Sequence, residues 1–157
     1  METPNIISVS NLSKYYGSAL GVQEINFTVT QGEIFGFLGP NGAGKTSTIR
    51  MLLDLLRPSS GEIKIFGQQI YTHSQEIRKR CGYLPGSFSA YGNMSGADFL
   101  DFAASLRKTK PRLQNSLIDR FQLSQGDLAK KIKHLSLGML QKLGIIQAFF
   151  HEPDLLI

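Results

Sequence analysis

The chain has 157 residues, 41% of them hydrophobic and 18% charged, with 17 basic against 12 acidic side chains and a formal net charge of +5. That is enough for one domain with a substantial core, and a single cysteine, Cys81, excludes an internal disulfide and fits a reducing compartment. No stretch approaches the roughly eighteen apolar residues that span a bilayer, and Met1-Glu2-Thr3-Pro4-Asn5 lacks the basic and apolar segments of a secretory signal.

Two segments alternate at period two, Ile6-Ile7-Ser8-Val9-Ser10 and Ile25-Asn26-Phe27-Thr28-Val29, and read as strands with one buried face. Gln31-Gly32 is a turn, and Glu33-Ile34-Phe35-Gly36-Phe37-Leu38 is predicted to be a strand. A glycine-rich run follows, and then a helix with Ile49, Leu52, Leu53 and Leu56 on one stripe, ended by Pro58-Ser59-Ser60-Gly61. Residues 62–66 return as a strand closed by Gly67. Residues 74–80 form a short basic helix, and Cys81 to Leu84 a strand stopped by Pro85-Gly86. Cys81 reads as a small buried hydrophobe.

A helical texture begins at Ser95, with Asp98 placed for the helix dipole and Phe99, Leu100, Ala103 and Leu106 on one face. Pro111 is expected at the first position of the next helix, lined by Leu113, Leu117, Ile118 and Phe121. The last helix, about 138–150, is apolar on most sides and should be buried. Glu152-Pro153-Asp154 breaks it, and Leu155-Leu156-Ile157 begins a strand.

The run Gly39-Pro40-Asn41-Gly42-Ala43-Gly44-Lys45-Thr46-Ser47 fits the phosphate-binding pattern GxxxxGK[ST] between a strand-like stretch and a helix. Glycines let backbone N–H groups converge on phosphate oxygens, and the helix N-terminus adds partial positive charge. Lys45 would reach the β- and γ-phosphates, the Thr46 hydroxyl would ligate Mg²⁺, and Ser47 would be a further phosphate donor. A glycine-rich surface turn is the plain alternative. It does not explain why strand, lysine, hydroxyl and helix fall in order.

Further segments stand in a fixed order around this loop: Leu12-Ser13-Lys14-Tyr15-Tyr16-Gly17 before it, then Gly82-Tyr83-Leu84-Pro85-Gly86, Leu135-Ser136-Leu137-Gly138-Met139 with Gln141-Lys142, and Leu155-Leu156-Ile157. In this ordered set the chain resembles the nucleotide-binding domain of ATP-binding cassette transporters over nearly all of residues 6–157. The resemblance implies an α/β fold of the P-loop nucleoside triphosphate hydrolase type, with an N-terminal antiparallel β region and a helical subdomain at about 87–135. It further implies that the C-terminal part of the core, with the Walker B Asp, the catalytic Glu and the switch His, falls after Ile157.

The roles that follow belong to the resemblance. Tyr16 matches the aromatic that stacks on adenine, with Tyr15 as its neighbour. Ser136 and Gly138 match the signature that addresses the ATP of a partner subunit, while Leu137 and Met139 depart from the family's usual residues. Gly86 holds the position of a glutamine that normally helps place the attacking water, a departure that favours the drug, antibiotic and multidrug export branch. Asp154 precedes the apolar run and is not the metal-site aspartate. His73, His134 and His151 do not match the switch histidine and read as solvated or helix-end side chains. The clusters 107–110 and 130–133 read as exposed basic faces.

The expected function is therefore the ATP-binding subunit of a transporter, on the cytoplasmic face of the membrane. Its partners would be a membrane permease and a second ATP-binding subunit, its cofactors ATP and Mg²⁺, with no nucleic acid. The 157 residues carry no catalytic residue beyond Lys45, which would meet transition-state charge. Loss of a positioned base typically costs about 10²–10⁴-fold, so this chain alone is expected to hydrolyse ATP poorly and to be poorly soluble. A cassette protein acting on nucleic acid or ribosomes, and a degenerate nucleotide-binding regulatory module, are the rival readings.

Overall fold

A computed structural model describes residues 3–108 and 110–157. Met1, Glu2 and Thr109 lie outside the described residues, and with them the start of the N-terminal segment and one position of the basic run 107–110. The chain divides into two compact units, the first running to Arg78 and the second from Lys79 to Ile157.

The first unit is built on a four-stranded antiparallel sheet in the order β2-β1-β3-β4. β1 (Asn5–Tyr16) and β2 (Ala19–Thr30) form a hairpin through Gly17-Ser18, where Gly17 takes a φ of 62° that suits a tight turn. β1 also pairs with β3 (Ser60–Ile65), which pairs with β4 (Gln68–Gln69). Ile7 and Val9 point inward at period two. The ladder then shifts between Val9 and Leu12, with Asn11 at a positive φ of 49°, and adjacent Leu12 and Ser13 are both buried. Both strands therefore run several residues longer than the alternation alone indicates. Their inner face packs with Ile63, Ile65 and Ile70 and with Met51, Leu52 and Leu53 from the region of helix α1 (Lys45–Leu52). α1 stops earlier than predicted: Leu53 is its C-cap and Asp54 has a φ of 52°, so Leu56 lies past the helix. α2 (Ser74–Lys79) closes the unit, its buried residue Ile77 facing inward.

Residues 33–38 are not a strand. The alternation is present: Phe35 stacks on Phe27 of β2 with ring centroids 5.3 Å apart and Phe37 packs on the same ring, tilted, at 5.6 Å, while Ile34 and Leu38 are 100% and 92% exposed. A strand also requires a neighbouring backbone to complete its hydrogen bonds. Among the described residues none is paired there.

In the second unit β5 (Cys81–Gly82) and β6 (Leu155–Leu156) pair in parallel. Gly82 is required there because a Cβ would run into the Ala148 carbonyl. β5 is shorter than predicted, ending before Tyr83. Four helices surround one core: α3 (Gly96–Arg107), α4 (Gln114–Arg120), α5 (Gln125–Ala129) and α6 (Leu137–Phe149). Phe99, Leu100, Leu128, Leu143, Ile146 and Phe150 are buried together. Ser95 and Ser124 each open a helix with a reciprocal capping box, closed by Asp98 and Asp127. Pro111 is not a first helical residue: it starts a turn whose carbonyl accepts from Gln114, and α4 begins at Gln114.

Candidate functional site

The loop between residue 38 and α1 is shaped by its own backbone. Gly42 and Gly44 adopt φ values of 87° and 83°, the left-handed region that glycine enters without steric cost. Gly44 is doubly constrained, since a Cβ there would stand 2.5 Å from the Gly21 carbonyl oxygen and 2.6 Å from Val22 Cγ2. The loop thus lies directly against β2, and α1 starts at the next residue.

Lys45 folds back across the loop it follows. Its Nζ donates to the carbonyls of Gly39 and Pro40 at 2.6 and 2.7 Å, and Ala43 N donates to Pro40 O at 3.2 Å. The ammonium is thereby held at the Gly39–Pro40 start of the loop. Three consecutive hydroxyls follow, and they divide their work. Thr48 is buried and returns its hydroxyl to the Gly44 carbonyl at 3.0 Å. Ser47 shares a 3.0 Å hydrogen bond with the Tyr16 hydroxyl. Thr46 is exposed and makes no hydrogen bond through its side chain among the described residues, which leaves its oxygen for a ligand.

Tyr16, Asn41, Gly42, Gly44, Lys45, Thr46 and Ser47 line one cleft of about 410 Å³, together with Leu20 and Gly21. Gly39, Pro40 and Ala43 belong to the loop but not to the cleft lining; the first two act through the carbonyls that hold Lys45. Tyr16 is 49% exposed, with the Lys14 ammonium 5.5 Å from its ring centroid. Tyr15 does not line the cleft; its N–H donates to Ser59 Oγ at 3.0 Å. Gly21 is the site residue that sequence reasoning missed. Its Cα lies under the Tyr16 ring, where a Cβ would meet Tyr16 Cε2 at 2.7 Å, and its carbonyl abuts Gly44. The available signal was a glycine inside an otherwise alternating strand, a mark of close approach.

The residues of the signature segment lie in the second unit. Ser136 caps α6, its Oγ accepting from Met139 N at 3.2 Å. Leu137 is 71% exposed, and Gly138 is exposed with no atom within 4 Å of a Cβ built on it. Gly86 is likewise open. Asp154 is engaged by Arg80 at 2.7 Å. His134 closes a short 3-10 turn, exposed, and His73 contacts Thr72. One reading needs correction: Arg107 is half-buried rather than part of an exposed basic face, because it turns toward the Cys81 carbonyl. His151 stands at a helix end, one of the two expected placements, and is partly buried against Arg107 rather than solvated.

A second cleft, about 460 Å³, lies wholly within this unit, walled by Tyr83, Phe88, Tyr91, Phe99, Phe102 and Leu106, with Arg107 as its one ionised lining side chain.

Comparison with known proteins agrees across three kinds of similarity. The family described as ABC transporter matches residues 22–157. The bacitracin transport ATP-binding protein BcrA of Bacillus licheniformis is 40% identical over 154 residues, covering 97% of this chain and 50% of that protein. The probable multidrug ABC transporter ATP-binding protein YbhF of Escherichia coli (strain K12) is 37% identical over 155 residues, 96% of this chain and 27% of that one. A solved structure described as the ATP binding subunit of an ABC transporter superposes with a TM-score of 0.85 at 30% identity, over 96% of this chain and 64% of that chain. The chain spans about half the length of the bacitracin relative, and the match in fold is to ATP-binding cassette domains.

Proposed function

The chain belongs to the ABC transporter family, and from that premise we propose that it is the nucleotide-binding part of a transport ATPase that drives a drug or peptide-antibiotic exporter. ATP is its substrate, gripped by residues 39–47. Lys45 neutralises the β- and γ-phosphates, the N–H groups of the loop and of the first turn of α1 donate to the remaining phosphate oxygens, and Tyr16 supports the base. The observation that carries this reading is the Lys45 ammonium drawn to the Gly39 and Pro40 carbonyls at the start of a helix. That arrangement sets one full positive charge beside the N-terminus of α1.

Mg²⁺ would be held by Thr46, the hydroxyl not already engaged within the chain. When bound, the ion screens charge between neighbouring phosphate oxygens. The glycines at 42 and 44 fit a backbone cradle for an anion, since side chains at either would need a left-handed φ.

The whole of residues 1–157 is read as one cassette domain with a helical subdomain at about 87–135. Ser136 and Gly138 would meet the nucleotide of a second ATP-binding subunit. Support comes from Gly138, whose missing Cβ serves no contact inside the chain. The aromatic cleft of the second unit is the surface proposed for the permease, at the cytoplasmic face of the membrane. Among the described residues no helix is long and apolar enough to cross a membrane. The export class follows the relatives whose names mention bacitracin and multidrug transport.

One observation favours a second reading, a nucleotide-binding module with weak turnover. Gly86, exposed and without a side chain, cannot place a water. Purification of the complete protein with its permease separates the two. ATP hydrolysis that rises when permease and cargo are present supports the transport reading; tight ATP binding with no turnover supports the module. The 157-residue chain alone is expected to bind ATP and turn it over poorly. Turnover by this chain at the rate of the complete protein would contradict that expectation.

A further inference from the structure

Arg107 and His151 stand at the ends of two helices of the second unit. Arg107 is the last residue of α3, and His151 follows Phe150, the C-cap of α6. They meet at the carbonyl of Cys81 in β5. Arg107 Nη2 donates to that oxygen at 3.0 Å, and Arg107 Nη1 stands 2.9 Å from His151 Nε2. A guanidinium has only donors to offer. Nε2 must therefore present its lone pair, and the ring proton belongs on Nδ1. The Cys81 oxygen, 3.2 Å from Nε2, is then a second acceptor for the same guanidinium rather than a partner of the ring.

Among the described residues nothing at Nδ1 contributes to this assignment, which the guanidinium sets at Nε2. The imidazole packs edge-on to Phe150, ring centroids 5.5 Å apart, and buried Nδ1 has no hydrogen-bond partner among the described residues. The charged and titratable groups around it are Arg107 from α3, the buried Cys81 thiol from β5, and the Arg80–Asp154 ion pair that acts on that thiol. Burial first, and then the Arg107 charge, hold His151 below the ordinary histidine value against a smaller opposing pull from the Cys81 carbonyl. A doubly protonated ring could no longer accept from Arg107 and would repel it. Arg107 is at the same time the one ionised side chain lining the aromatic cleft.

We propose that His151, as a neutral imidazole protonated on Nδ1, is the positioning residue that fixes the Arg107 guanidinium at the wall of the aromatic cleft. Its consequence for transport rests on the reading that the permease docks in that cleft. Replacement of the ring by an apolar side chain removes one of two acceptors and frees the guanidinium to turn. Glutamine at 151 keeps an acceptor oxygen.

The test is a nitrogen–proton correlation spectrum of the histidine rings in ¹⁵N-labelled protein, with His151 assigned by its loss in His151→Gln. The expected result is the Nδ1-protonated tautomer at neutral pH and a titration midpoint below about 6.5, moving upward in Arg107→Leu. A ring protonated on Nε2, or a midpoint that Arg107→Leu leaves in place, overturns the proposal. Among only three histidines, backbone-to-ring correlations in the wild type give a second assignment of His151, so the tautomer is read even where the variant does not fold. In the complete protein with its permease, His151→Leu should lower permease-stimulated hydrolysis several-fold at unchanged ATP affinity, and His151→Gln should restore it. Unchanged stimulation alongside the expected tautomer would retain the positioning role and overturn only the permease assignment of the cleft.

Discussion

Helices α1 and α6 each begin beside a glycine, and these two glycines are there for different reasons. Gly44, just before α1, is dictated from within: its φ is 83°, and a Cβ would collide with Gly21 and Val22 of the adjacent strand. Gly138, in the first turn of α6, is not dictated by any described residue, since a Cβ there meets none of their atoms within 4 Å. A glycine costs roughly 0.5–1 kcal/mol relative to alanine inside a helix. One with no internal purpose therefore points outward, to something that must approach the backbone closely. The fold accounts for the first, and the proposed partner nucleotide accounts for the second.

Substitution of the first glycine should have the largest effect. Gly44→Ala forces a left-handed alanine into an occupied space, and a loss of about 2 kcal/mol or more is expected. ATP binding should weaken by well over tenfold, as followed by denaturant unfolding and nucleotide titration. An unchanged midpoint and affinity would mean that the loop does not rest on β2 as described. The Ser136 cap offers the next step down. Ser136→Ala should cost about 1 kcal/mol, seen as a lowered unfolding midpoint at constant slope. Gly138→Ala sharpens the contrast: stability of the isolated chain should hold or rise by up to about 1 kcal/mol, while hydrolysis by the complete protein falls. Destabilisation without loss of turnover would reverse the assignment of that glycine.

The smallest expected effect concerns acid. His151 is held below its unfolded value, chiefly by burial and then by Arg107. The unfolded chain therefore binds a proton that the folded chain refuses. This contribution is intact above about pH 6.5 and is lost as pH falls through the folded value. Denaturant midpoints between pH 7 and 5 should fall more steeply in the wild type than in His151→Gln, and parallel curves would contradict the assignment.

What could be read in advance follows the range of the forces involved. The phosphate loop was legible because its pattern is local: glycines at turn positions, a lysine and a hydroxyl at the helix start, all within nine residues. The capping of α3 by Ser95 and Asp98 was legible for the same reason. The apolar run at 33–38 read as a strand, yet a strand is a property of two backbones, and one segment cannot declare its neighbour. A glycine in a strand marked Gly21 only as a point of close approach; what approaches it, Tyr16 and Gly44, is set by strand register. Arg107 was misplaced because its neighbours in sequence are basic and exposed, whereas its partners, Cys81 and His151, are distant along the chain. The aromatic cleft was unreadable too, being assembled from residues as far apart as Tyr83 and Gln147.

The central claim is that residues 39–47 hold the phosphates of a nucleoside triphosphate, with Lys45 as the principal charge. Equilibrium titration of Mg-ATP against the wild type and Lys45→Ala tests it most directly. A charged hydrogen bond is worth about 1.5–3 kcal/mol, so the account predicts affinity at least about tenfold weaker in the variant, with the unfolding midpoint little changed. Equal affinities in two equally folded proteins would contradict it.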